Sequence, residues 1–224
     1  ISLIIPGSII DIEYSAFRDC RSLTSVTIPG SVTSVGNEAF FNCLSLTSII
    51  IPDSVTNIGS GAFAYCSSLT SITLPDNIEF TSIGANAFRN CYALTNIIIP
   101  DSVTNIGANA FESCSGLKSI IIPNGVIENY AFRGCTSLTS VILADGVTSI
   151  GYNAFNGSSL TSITIPSSVT SGNSAFANCS SLTSVILADG VTSIWGGAFA
   201  NCTSLTSITI PDSVTSIGNA AFNN

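Results

Sequence analysis

Leu205-Thr-Ser-Ile-Thr-Ile-Pro-Asp-Ser-Val-Thr-Ser-Ile-Gly-Asn-Ala-Ala-Phe222 is one copy of a unit that runs through all 224 residues. Its opening leucine returns at Leu23, Leu46, Leu69, Leu94, Leu117, Leu138, Leu160, Leu182 and Leu205, at spacings of 23, 23, 25, 23, 21, 22, 22 and 23 residues. A unit without its first residues precedes Leu23, and the last unit stops at Asn224. A fixed period of this length marks a stacked coil, here a single domain over residues 1–224 with ten repeats, the first and last incomplete.

The pattern within a unit explains why it coils. Leu-x-x-Ile-x-Ile puts alternate residues on one side of a short strand, as Leu69, Ile72 and Leu74 illustrate. Proline, which has no N–H to give a ladder, then ends the strand at Pro6, Pro29, Pro52, Pro75, Pro100, Pro123, Pro166 and Pro211, with Ala144 and Ala188 in two units. A second extended piece, Val-x-x-Ile-Gly, follows with residues such as Val55 and Ile58 inward. The stretch Asn-x-Ala-Phe-x-x-Cys spaces Ala, Phe and Cys as a tight helical turn would. One unit cannot bury these side chains, whereas stacking at about 4.8 Å turns each position into a column. The longest column is phenylalanine, from Phe17 to Phe222 in ten consecutive units. Two extra residues around Glu79-Phe80 and two missing between Val126 and Ile127 fall in the second half of the unit, so the first strand keeps its register.

These residues resemble the BspA-like leucine-rich repeats of surface proteins. The resemblance rests on Leu-Thr-Ser-Ile-x-Ile-Pro-x-Ser-Val-x-x-Ile-Gly-x-x-Ala-Phe-x-x-Cys, nearly intact from Leu46 to Cys66 and from Leu94 to Cys114, and it covers the whole chain. It implies a β-rich, right-handed leucine-rich-repeat solenoid of about ten turns, with short strands and one helical turn per repeat. It also implies an extracellular or cell-surface protein that binds a protein or extracellular-matrix ligand in adhesion. Where ordinary leucine-rich repeats carry an asparagine ladder, this chain has mainly serine and glycine, such as Ser31, Ser54 and Gly146, which predicts a flatter coil.

Composition argues against chemistry. Thirteen acidic residues against five basic ones give a net charge of -8, and Arg18, Arg21, Arg89, Lys118 and Arg133 are scattered. No basic patch is available for nucleic acid, and no segment approaches the about 20 apolar residues that span a bilayer. The chain has no histidine, so the commonest general base and metal ligand is missing. Its serines and threonines have no partner to activate them. The expectation is a protein that is not an enzyme, with no catalytic residue, metal or cofactor.

Four features invite function. Cys20, Cys43, Cys66, Cys91, Cys114, Cys135, Cys179 and Cys202 share one position. Turns about 5 Å apart are close enough to bridge, but side chains in register point in parallel, which favours free core thiols. Asp53, Asp76, Asp101, Asp145, Asp189 and Asp212 also share a position, either as a carboxylate ladder or simply as turn residues after proline. Asn156-Gly-Ser, Asn178-Cys-Ser and Asn201-Cys-Thr are candidate N-glycosylation sequons. Finally, the outward positions of the first strand read Thr27, Ile50, Thr73, Ile98, Ile121, Ile142, Thr164, Ile186 and Thr209, beside a serine column. Ile and Thr suit any sheet surface, but a continuous apolar band marks a contact surface.

Trp195 replaces a glycine found in seven of the ten units, either to anchor a partner or to cover a gap beside it. The chain opens at Ile1 without methionine and carries its inward residues to both ends, from Leu3 and Ile5 to Ile217 and Phe222. It therefore reads either as a window onto a longer chain or as a unit that stacks with copies of itself end to end into a filament.

Overall fold

A computed structural model describes all 224 residues. The chain is a parallel β-solenoid whose Phe17-to-Phe222 column is joined by nine stacked contacts, with ring centroids 5.1–5.6 Å apart and planes within 15° of parallel. The Leu, Ile, Val, Ala, Phe and Cys columns merge into one core of 64 buried residues. Leu46, Leu69, Leu94, Leu117, Leu138, Leu160 and Leu182 are completely enclosed.

The strands pair in parallel on two faces of the coil, in one seven-stranded, one four-stranded and two two-stranded sheets. On the first face, Ser2–Ile4, Ser25–Thr27, Ser48–Ile50 and Ser71–Thr73 pair in sequence order. The second sheet has seven strands, from Asp11–Ile12 to Ser140–Ile150. In turns six and seven the two faces fuse into the long strands Ser119–Ile127 and Ser140–Ile150. Ala144 keeps the backbone N–H that proline would have removed, and Pro123 is absorbed by a register shift between Ile122 and Asn124.

The far side of each turn differs from the sequence expectation: it contains no helix. Ser15, Glu38, Gly61, Asn86, Asn109, Tyr130, Asn153, Ser174, Gly197 and Ala220 form one column with φ between 53° and 63°. Asp19, Asn42, Tyr65, Asn90, Ser113, Gly134, Gly157, Asn178 and Asn201 form a second left-handed column four residues on. A left-handed residue cannot continue a right-handed helix, so the chain makes successive tight turns. Their N–H groups alternate in direction. Ala16, Arg18 and Cys20 donate within the turn to Glu13, Ser15 and Phe17, while Ser15, Phe17 and Asp19 donate to Asn37, Ala39 and Phe41 of the next. The Ala–Phe–Cys spacing is helix-compatible only because it is also the spacing of this alternation.

Irregular turns show how firmly the columns are held. In turn four the insertion expels Ile78 to solvent and sends Phe80 into the column of Val32, Val55 and Val103. In turn six the deletion falls before Val126 rather than after it. Gly125 pairs with the core residue Val147, while Val126 pairs with Ser149 and Asn105 and faces outward. Turn eight lacks its second-strand isoleucine altogether, and Trp195 of turn nine fills the defect. Its indole covers Gly172, and its Nε1–H donates to the Thr170 carbonyl at 3.2 Å. Of the two roles open to Trp195, the structure shows the covering of a gap.

The glycine column exists because adjacent turns touch there. A Cβ on Gly84 would sit 2.7 Å from the Ile58 oxygen, and one on Gly107 would sit 2.7 Å from the Ala85 nitrogen. Gly84→Ala should therefore force turns three and four apart and cost about 1–3 kcal/mol, read as a lower denaturant midpoint. An exposed control such as Ser180→Ala should change little.

Candidate functional site

Three surfaces run the length of the coil, and they differ in what their side chains are free to do. On the far side, polar groups are largely occupied by one another. Glu112 lies between Arg89 at 2.9 Å and Arg133 at 3.7 Å, and Arg133 covers the Tyr130 ring. Arg18 pairs with Asp19 and Glu38 and lies over Phe41, and Arg21 pairs with Asp19. Asn201 donates its amide to Asn178, and Asn156 donates to Asn153. Of the three candidate glycosylation asparagines, Asn178 is the one whose amide nitrogen is unengaged, and it is exposed.

The hydroxyl groups that replace an asparagine ladder tie each turn to the one before. Ser31, Ser54, Ser102, Ser168 and Ser213 donate to the carbonyls of Ile9, Val32, Phe80, Val147 and Val191. Thr47, Thr70, Thr139 and Thr183 do the same beside the first strand. The Ser/Thr richness of the chain is therefore partly inter-turn hydrogen bonding rather than free polar surface.

The cysteine column is built in the same way. Cys43, Cys66, Cys91, Cys114, Cys135, Cys179 and Cys202 each direct Sγ–H at the phenylalanine carbonyl one turn back, at 3.1–3.3 Å. All eight cysteines are free, and only Cys20 is exposed. Burial pushes the thiols of Cys91, Cys135 and Cys202 up to about 12 and that of Cys179 to about 11. These four donors are thus neutral thiols held in apolar surroundings, whereas the hydrogen bond from Cys66 pulls the thiol of Cys43 down.

This weakened acidity has a definite pH consequence. The unfolded chain ionises its thiols near 9, whereas the coil keeps those of Cys91, Cys135 and Cys202 protonated to about 12. Stability is fully present below pH 9 and should fall progressively as pH rises from 9 towards 12. Ser158 already occupies this column in turn seven, so hydroxyl is accepted there. A Cys91→Ser/Cys135→Ser/Cys202→Ser variant should show a flatter loss of stability above pH 9 than the parent. Equal slopes in urea melts at pH 8 and pH 10.5 would show that the thiols do not set the slope.

The first-strand face presents a continuous row of exposed apolar and threonine side chains, whereas exposed apolar residues elsewhere, such as Tyr14 and Ile78, stand singly. Thr27, Ile50, Thr73, Ile98, Ile121, Ile142, Thr164, Ile186 and Thr209 are all exposed. The sheets place Ile50 beside Thr73, Ile121 beside Ile142, Thr164 beside Ile186, and Ile186 beside Thr209. Ile4, which pairs with Thr27, extends the band by one turn. It follows the same alternation and was legible from the first, incomplete unit. Ile98, Ile121 and Ile142, on three consecutive turns, are 77%, 59% and 54% exposed.

This face is not a uniform ladder. Residues 96–99 of turn five pair with neither neighbour, and the N–H groups of Leu74, Ile97 and Ile99 make no hydrogen bond. Shallow grooves open there, one of 490 Å³ between turns four and five and one of 280 Å³ between turns five and six. A third, of 690 Å³, lies between turns nine and ten. Along the edge beyond the prolines stand Asp53, Asp76, Asp101, Asp145, Asp189 and Asp212, all exposed and none in an ion pair. No three acidic or thiol groups converge as a metal ion would require. No helix is long and apolar enough to cross a membrane.

The coil, its repeat and its one free apolar face define a solenoid scaffold, and sequence comparison gives the class. The model of the BspA type leucine-rich repeat region matches residues 1–118 and 104–224, so the chain belongs to that family. Solved structures of similar chains are bacterial. The leucine-rich-repeat protein of T. pallidum is 31% identical with a TM-score of 0.65, covering 70% of this chain and 76% of its own. A leucine-rich-repeat protein from Bacteroides ovatus is 31% identical with a TM-score of 0.64, covering 98% and 71%. A leucine-rich cell-surface protein from Faecalibacterium prausnitzii is 33% identical with a TM-score of 0.70, covering 99% and 66%. No protein of curated function matches the sequence.

Proposed function

We propose that the chain is a non-catalytic cell-surface scaffold that binds a protein ligand, in an adhesive role, through its first-strand face. The observation that carries this reading is the continuous band of exposed isoleucine and threonine, with Ile98, Ile121 and Ile142 on adjacent turns. Covering one such side chain with a partner contributes about 1.5–3 kcal/mol, so three neighbours can anchor a specific complex. Family membership and the similarity to a bacterial cell-surface protein support the surface location.

Ile98→Glu/Ile121→Glu/Ile142→Glu should abolish binding of the surface ligand while leaving the melting transition within a few degrees of the parent. The side chains already face solvent, so the substitution removes no core packing. A triple variant that retains every partner of the parent in a pull-down would exclude this face.

A further inference from the structure

The charge pattern beside the isoleucine band specifies the chemistry of its partner. From the sheets and the ion pairs we infer that the first-strand face takes an extended, basic protein segment. In that segment apolar residues would alternate with lysine or arginine. The inference deepens the reading of this face as a binding surface and rests on it.

Three observations converge. First, the face is apolar along its middle and unoccupied, with Ile98, Ile121 and Ile142 projecting from it. Second, every arginine of the chain is committed on the far side, to Asp19, Glu38 or Glu112. The aspartates along the proline edge are thus left without a cation, and they repeat once per turn in most turns. Lys118, on the opposite flank of the band, is the only basic residue near this face and makes no ion pair. Third, the groove between turns four and five joins the two kinds of surface. Thr73 and Ile98 line it together with the carboxylates of Asp76 and Asp101, and the N–H of Leu74 opens nearby without a partner.

A lysine or arginine stem suits this groove because its methylenes can lie along Ile98 while its charged head reaches the aspartate edge. An acidic segment would face like charge at Asp76 and Asp101, and a purely apolar one would leave those carboxylates uncompensated. A strand that alternates in character turns its apolar row onto the band, and its lysine or arginine stems are long and flexible enough to bend back to the aspartate edge.

The test uses the whole chain and two synthetic nine-residue peptides, one alternating lysine with valine and one alternating glutamate with valine, titrated by calorimetry. The Lys/Val peptide should bind, and its affinity should fall as salt rises from 50 to 500 mM, an expectation set by about one Debye length of screening. Asp76→Asn/Asp101→Asn should weaken it by about tenfold, the scale of two partly exposed ion pairs. The Glu/Val peptide should not bind. Equal binding of both peptides, no binding of either, or an aspartate double variant within twofold of the parent would each overturn the inference. The triple isoleucine variant separates it from the reading beneath. If that variant loses the surface ligand while the aspartate variant binds like the parent, the face stands and the basic partner falls. If it keeps the ligand, the face itself falls.

Discussion

Each turn of this protein depends on its neighbours for backbone hydrogen bonds, and that dependence sets the spacing of everything else. Of 120 backbone hydrogen bonds, only 19 lie within regular strands, so pairing of sheets alone cannot hold the coil. On the far side, alternate N–H groups leave the turn for the next one, which requires two left-handed residues in each repeat. Those two residues cost conformational energy in a side-chain-bearing position and are mostly Asn, Ser, Gly or Asp. What they secure is a fixed rise between turns, and the Phe column stacks at 5.1–5.6 Å as a consequence.

The same rise explains the small polar residues. A hydroxyl or thiol is short enough to reach the carbonyl of the preceding turn without disturbing the stack, as Ser54 does to Val32 and Cys66 to Phe40. A longer side chain at the glycine column succeeds only where it lies against the turn below. Glu128 there caps Ala108 N–H and takes a bond from Asn105, and Trp195 lies over Gly172. The chain therefore tolerates irregular length better than irregular bulk. An insertion can be expelled at Ile78, whereas a missing isoleucine in turn eight is matched by an indole from turn nine.

Period, strand alternation, proline corners and columns were legible in the sequence because each follows from a repeated local rule. The two left-handed columns were equally repeated, and the Asn, Ser and Gly at Asn86, Asn90, Asn109 and Ser113 were their signal. That signal competes with an Ala–Phe–Cys spacing that fits a helical turn, and spacing alone does not separate the two. The deletion in turn six was placed on the wrong side of Val126 for a related reason. Sequence alignment prefers valine on valine, whereas the strand pairing puts Gly125 opposite Val147 and turns Val126 outward. The nine outward residues of the first strand were fully legible, since exposure there is a matter of parity. The open ladder around residues 96–99 was not, because the sequence of turn five is among the most regular in the chain.

How charge is distributed between the faces follows from the same geometry. Long side chains find room on the far side, where turn residues project and rings such as Phe41 and Tyr130 offer a surface for guanidinium groups. Arginine and glutamate accordingly meet there and neutralise one another. The strand side offers no such room: its corner serines and its threonines such as Thr47 and Thr70 are spent on inter-turn bonds, and its outward apolar column is isoleucine and threonine. Short aspartates fit the corner after proline or alanine in six of the ten turns, and none of them is in an ion pair with an arginine. A net charge of -8 on the chain is thus concentrated where the apolar band is free rather than spread evenly over the coil. A surface that is apolar in its middle and acidic along most of one edge has a direction across the strands, and a partner that reads it must be oriented as well as complementary.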